Sequence, residues 1–262
     1  KRVARIGKGL AAARDAHALF DALNILERKT EPGLGDAPIE AMRDWLQKRR
    51  EAAERNLEQG SASSSLEMLL DLRPRFASLV VYPDNFKPVS KGLQLSYYRA
   101  REQFKAAFRS KDPEMLHDWR KSVQRHWRHM QLLTPCWPSE LGARAEAARA
   151  LSQTLGDEHD IANLMHLATA PAMTFGSPEE IAAFLKRCKT RAKALRKDAK
   201  VRGKRLFVEK PEPFASRIHA YWTTAAVGAM EPVKPTHPKL NVVAIDGLRA
   251  EQTYETNYGG QS

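Results

Sequence analysis

The chain has 262 residues, is 42% hydrophobic and carries a formal net charge of +12 at pH 7. Such a length holds one large domain or two smaller ones with a core, and such a charge calls for an anionic partner: nucleic acid, polyphosphate or an anionic membrane surface. No apolar run of about 18 residues exists to span a bilayer, no signal peptide is visible at Lys1, and the two cysteines, Cys136 and Cys188, lack paired spacing, which fits a reducing cytoplasm better than a disulfide framework.

Residues 1–28 read as a helix, with Leu10, Ala13, His17, Phe20 and Leu23 in helical rhythm. Pro32, Gly33, Gly35 and Pro38 mark a loop. A charged helix follows from Ile39 to about Gln59, and the run Gly60–Ser65 breaks it. Another spans Leu66 to Val81, with Pro74 as a kink or boundary. Residues 83–91 read as a linker, and Gly92–Arg109 as a short helix. Later helices are expected over 114–133, 139–167, 178–208 and 214–230. Ser177-Pro178-Glu179-Glu180 is a helix start: Ser as N-cap, Pro in the first turn, acids at the positive end. The tail 231–262, with Pro232, Pro235 and Pro238, changes character and receives no role. No strand alternation stands out before residue 240, so the class is all-α.

The stretch Glu114–Leu133 organises the rest. On a helix, Leu116, Trp119, Val123, Trp127 and Met130 fall on one side. His117, Arg120, Lys121, Gln124 and Arg128 fall on the other, with Arg125 among the same basic residues. The polar stripe runs about 16 Å from His117 to Arg128 at 1.5 Å per residue. On its own such a face is as readily a solvated surface as a binding one. Two features favour binding. Its cations are mostly Arg, whose planar fork suits phosphate oxygens, and Asp118 lies on the flank rather than inside it. Lys186–Arg205 forms a second concentration, with eleven Lys or Arg and one acid, Asp198. Like charges at i, i+3 and i+4 repel there, and a polyanion would relieve them.

The pattern H-x-x-R-K at His117, Arg120 and Lys121, then L-G-x-x-H-D at Leu155, Gly156, His159 and Asp160, resembles the CHAD family, the conserved histidine α-helical domain. Gly203-Lys204-Arg205-Leu206-Phe207, with Pro211, Pro213 and Phe214, is similar to its closing segment. The resemblance runs to about Met230. It implies two related four-helix bundles that bind inorganic polyphosphate, here 1–82 and 92–230. It also extends the candidate site to Arg99 and Arg101, which resemble a family segment beside Tyr98, and to Arg191 with its first-half counterpart Arg50. The family commonly has a basic residue at Gln124. Shifting the first half by 145 positions puts Leu10, Asp15 and Leu19 on Leu155, Asp160 and Leu164, and Arg14 on His159. The counterpart of His117 would then fall about 28 residues before Lys1. The first bundle is therefore expected to lack its N-terminal helix in this sequence.

His117 is readable as a general base, a pH switch, a buried structural group or a donor. Among arginines its charged form is disfavoured, so a neutral donor to phosphate is expected. Asp160 is the natural carboxylate for orienting Arg120. His126 and His129, at i and i+3, have no third ligand and read as surface or packing residues.

The leading expectation is a non-catalytic polyphosphate-binding module in the cytoplasm, with granule association as an extension. It needs no cofactor, no metal and no membrane, and sulfate or phosphate would occupy the same stripe. Nucleic acid is the second choice. It calls for stacking aromatics, for which Tyr97 and Tyr98 are the candidates. A third reading is a domain accessory to a phosphate-chain enzyme. Some family members carry a fused CYTH-type tunnel domain, but its E-x-E-x-K pattern is missing here, as are a phosphate-binding glycine loop and H-E-x-x-H.

Overall fold

The computed structural model describes residues 2–78, 86–110 and 114–227. Every regular element among them is helical: α1 (Arg2–Arg28), α2 (Asp36–Asn56), α3 (Ala62–Ala77), α4 (Lys87–Arg109), α5 (Glu114–Leu133), α6 (Pro138–Ala168), α7 (Pro178–Leu206) and α8 (Pro211–Val227). The all-α expectation holds. Residues 1–228 form one compact unit. The tail 231–262 and the Asp112-Pro113 dipeptide lie outside the described residues.

Local chemistry accounts for most boundaries. Ser177 caps α7 as expected, and it does so through a reciprocal pair with Glu180. Its Oγ accepts from the Glu180 backbone N–H at 3.3 Å, and its own N–H donates to Glu180 Oε2 at 2.8 Å. The break at Gly60–Ser65 is narrower than its composition suggests. Only Gly60 leaves helical backbone, at φ 125°, inside a π-turn over Leu57–Ser61. That left-handed conformation suits a residue without Cβ. Ser63–Ser65 are already part of α3, which also contains Pro74. At the other expected linker, α4 begins at Lys87 with Pro88 in its first turn, where a missing N–H goes unnoticed. Residues 87–91 are therefore helical, and 79–85 lie outside the described residues.

Among the described residues there are two cores, and they do not divide at residues 83–91. The first gathers α4, α5, α8, the Leu141–Leu155 part of α6 and the end of α7, around Tyr97, Trp119, Met130 and Phe214. The second joins Leu23, Leu26, Met42 and Leu46 of α1 and α2 to Ile161 and Leu164 of α6 and to Phe184, Cys188 and Leu195 of α7. At 31 and 29 residues, α6 and α7 are long enough to run through both. The loop before α2 is pinned to α7 in turn. Arg187 pairs with Asp36 and donates to Thr30 Oγ1, and this holds the Asp36 carboxyl below its usual range, chiefly through the hydrogen bond from Arg187.

The closing segment has a steric basis. A Cβ at Gly203 would stand 2.8 Å from the rings of Phe104 and Trp119. Glycine there lets α7 close onto the buried faces of α4 and α5. Beyond it, Arg144 Nη2 donates to the Leu206 carbonyl at 2.8 Å and Arg101 Nε to that of Phe207 at 3.2 Å. The Tyr97 hydroxyl donates to the carbonyls of Leu206 (3.3 Å) and Glu209 (3.2 Å). These donors satisfy carbonyls that a helix end leaves open.

Candidate anion-binding site

Helix α5 occupies the expected span. Leu116, Trp119, Ser122, Val123, His126, Met130 and Leu133 are its buried residues. The buried face is rotated slightly from the apolar pattern: His126 is inside, and Trp127 is only half-buried on the flank. The Arg128 guanidinium lies over the Trp127 ring at 3.9 Å, and Arg128 Nη1 donates to Gln131 Oε1 at 3.0 Å.

The N-terminal end of the stripe meets the L-G-x-x-H-D turn of α6. The rings of His117 and His159 stack with centroids 4.7 Å apart. Burial holds the His117 imidazole below its usual pKa, and Lys121, His159 and Arg120 push the same way. His159 is lowered too, by burial first and then by Arg120. Both rings are therefore neutral donors or acceptors at neutral pH. One turn on, Arg120 lies across Gly156, where a Cβ would sit 3.5 Å from its Nη2. Asp160 is close enough to feel Arg120 as a charge, but burial dominates and raises its carboxyl. Two polar atoms in this corner, His117 Nδ1 and Arg120 Nε, are buried without any hydrogen-bond partner. Six other buried polar atoms among the described residues share this state, Arg50 Nε and His129 Nδ1 among them, but these two lie together at the end of the basic stripe.

The family model for the CHAD domain matches residues 1–169. The chain belongs to the CHAD domain family. Comparison with curated proteins and with solved structures returned no match. The family match ends at Thr169, just after α6, so α7 and the segment that follows it lie beyond it.

Residues that the shift of 145 positions pairs in sequence also act on one another in space. Asp15 of α1 acts electrostatically on both His159 and Asp160, and Arg14 on Asp160. The L-G-x-x-H-D turn and its first-half counterpart thus lie near one another. Arg191 joins this neighbourhood from α7. With Gln153, Asp157 and Asp160 of α6 and Asp21 of α1, it lines a cleft of about 240 Å³.

The other candidate residues are less concentrated. Lys121 is exposed and pairs with Asp118 at 3.1 Å, so the flanking acid does reach the stripe. Gln124, Arg125 and Arg99 are exposed, and Arg125 Nη2 donates to Ser122 Oγ at 2.8 Å. Arg101 is committed to the end of α7, as described above. Arg50 lies on α2, with its guanidinium 4.8 Å over the Phe20 ring of α1 and its Nε 3.7 Å from Glu54, and no described contact joins it to α5. Tyr97 is fully buried and stacked on Phe214 at 4.1 Å, which removes it as a stacking platform; Tyr98 is exposed. His126 packs among Tyr97, Phe207 and Phe214, and its Nε2 accepts from Arg144 Nε at 3.4 Å. It is a core group, whereas His129 is half-buried. Sequence reasoning missed Gln153, Asp157 and Asp21 as cleft residues, because ordinary polar side chains on separate helices carry no local signal.

Proposed function

We propose that this CHAD domain binds inorganic polyphosphate along α5 without cutting it. The observation that carries the reading is the pair of buried, unpartnered nitrogens, His117 Nδ1 and the donor Arg120 Nε, at the head of an exposed stripe of Lys121, Gln124, Arg125 and Arg128. A chain of phosphates offers only oxygens and charge, so its receptor needs spaced donors rather than shaped pockets. Fixed donors and cations hold such a chain, and nothing in their arrangement requires that it be cleaved. The stripe spans about 16 Å, so a long polymer reaches several donors at once where orthophosphate reaches one. Arg191 stands in the neighbouring cleft, among Asp21, Asp157 and Asp160. In the cell such a module would hold its protein on polyphosphate deposits.

Nucleic acid fits less well. Single-stranded binding uses aromatic faces beside the cations, but Trp119 and Tyr97 are buried and Arg128 covers Trp127. Calorimetry tests the reading directly. Polyphosphate should bind far more tightly than orthophosphate and should displace single-stranded RNA at the same ionic strength. Equal affinity for polyphosphate and orthophosphate, or tighter binding of RNA, refutes it. Unchanged polymer length after incubation is expected; shortening of the chain would refute the non-catalytic part.

A further inference from the structure

Helix α7 carries Lys186, Lys189, Lys193, Lys197, Lys200 and Lys204 at steps of three and four. At 100° and 1.5 Å per residue they occupy about 80° of arc over about 27 Å. All six are exposed. The acids that neutralise α7 serve other positions: Asp36, Glu158 and Asp198 pair with Arg187, Arg196 and Arg202. Among the described residues no ion pair reaches any of the six lysines. Neighbours of like charge at these spacings repel, so the fold maintains an uncompensated row on a rigid, 29-residue helix.

The row lies on the solvent side of α7, opposite its buried Phe184, Leu195 and Leu206. Trp119 lies in the buried face of α5 and packs directly on Gly203 in the buried face of α7. The α5 stripe lies opposite Trp119 on its own helix, and the centre of the α7 row lies about 80° round from Gly203. A short chain lying on one polar face therefore cannot lie on the other.

We propose that the α7 lysine row is a second polyanion track, and that the protein bridges polyphosphate by holding one chain on α5 and another on α7. The identity of the polymer rests on the reading of α5 given above. The two tracks differ in kind. The α5 corner holds buried, directed donors, while α7 offers compact, strongly hydrated point charges with no fork. The α7 row itself contains no aromatic residue, and the ring beside it, the half-buried Phe108 of α4, is already covered by Lys200 at 5.4 Å. Binding to it depends on charge density and counterion release, so it is the weaker and the more salt-sensitive track.

The test uses the full chain at low ionic strength. Calorimetry with a short polyphosphate counts sites, and light scattering with a long one reads bridging. Wild type should take up two short chains, and its scattering with the long polymer should rise and then fall as polymer goes into excess. The variant K189Q/K193Q/K197Q keeps good helix formers, so its circular dichroism and melting should match wild type. It should bind one short chain, weaken the second by about tenfold or more, and lose the scattering. R120A/K121A should lose the tight equivalent and keep the weak one. A single equivalent in wild type, or a second equivalent and scattering that survive in the lysine variant, overturns the proposal. If R120A/K121A keeps the tight equivalent while the lysine variant loses the weak one, the α5 reading fails and the α7 track stands.

Discussion

Arg120 and Lys121 are neighbours in sequence, yet the structure gives them unequal weight. Arg120 is half-buried across Gly156, and its Nε has no partner. A phosphate oxygen there would gain a charge-assisted hydrogen bond, worth about 1.5–3 kcal/mol. At about 1.4 kcal/mol per tenfold, Arg120→Ala should weaken polyphosphate binding roughly 10- to 150-fold. Lys121 is exposed and already paired with the exposed Asp118. Its contact with polymer only exchanges one surface ion pair for another, worth about 0–1 kcal/mol. Lys121→Ala should therefore weaken binding no more than about fivefold. Isothermal titration at two salt concentrations measures both, and the salt slope should fall by a similar amount in each variant, since each loses one cation. Arg120→Ala removes no hydrogen bond from its Nε, so Tm should move by less than about 3 °C. If Arg120→Ala is no worse than Lys121→Ala, the buried corner does not contact the polymer. If the double variant binds like wild type, α5 is not the binding surface and α7 takes its place.

Gly203→Ala should destabilise by about 1–3 kcal/mol despite the helical preference of alanine, because its Cβ collides with Phe104 and Trp119; Trp119→Ala, which empties the same contact, should cost about 3–5 kcal/mol in denaturant titration. Gly156→Ala should be nearly silent, since its Cβ meets Arg120 at an ordinary 3.5 Å, whereas Gly156→Leu should displace Arg120 and weaken binding as Arg120→Ala does. Burial holds His117, His126, His129 and His159 below the ordinary imidazole value of 6.5. The unfolded chain therefore binds more protons just below that pH, and stability should fall as pH drops through about 6.5, measured by Tm across buffers. Polymer binding should move the other way: a polyanion favours protonated His117 and His159, so affinity should rise from about pH 7.5 to about pH 5.5 with proton uptake seen in calorimetry.

What the sequence determined by itself is local. Period and punctuation set the helices, the Ser177 cap, the extent of α5 and the polar stripe along it, because a helix's faces and ends depend on residues within one or two turns. The six-lysine row of α7 was equally readable in its spacing. The tertiary structure decided which groups meet. It stacked His117 on His159, laid Arg120 over Gly156, drew Arg191 into a cleft with carboxylates of α1 and α6, and spent Arg101 on the end of α7. It also made both cores from α6 and α7, where the sequence suggested a cut before α4. Contacts of this kind join residues 36 or more positions apart. They follow from how whole helix faces pack across the core, which no local pattern encodes.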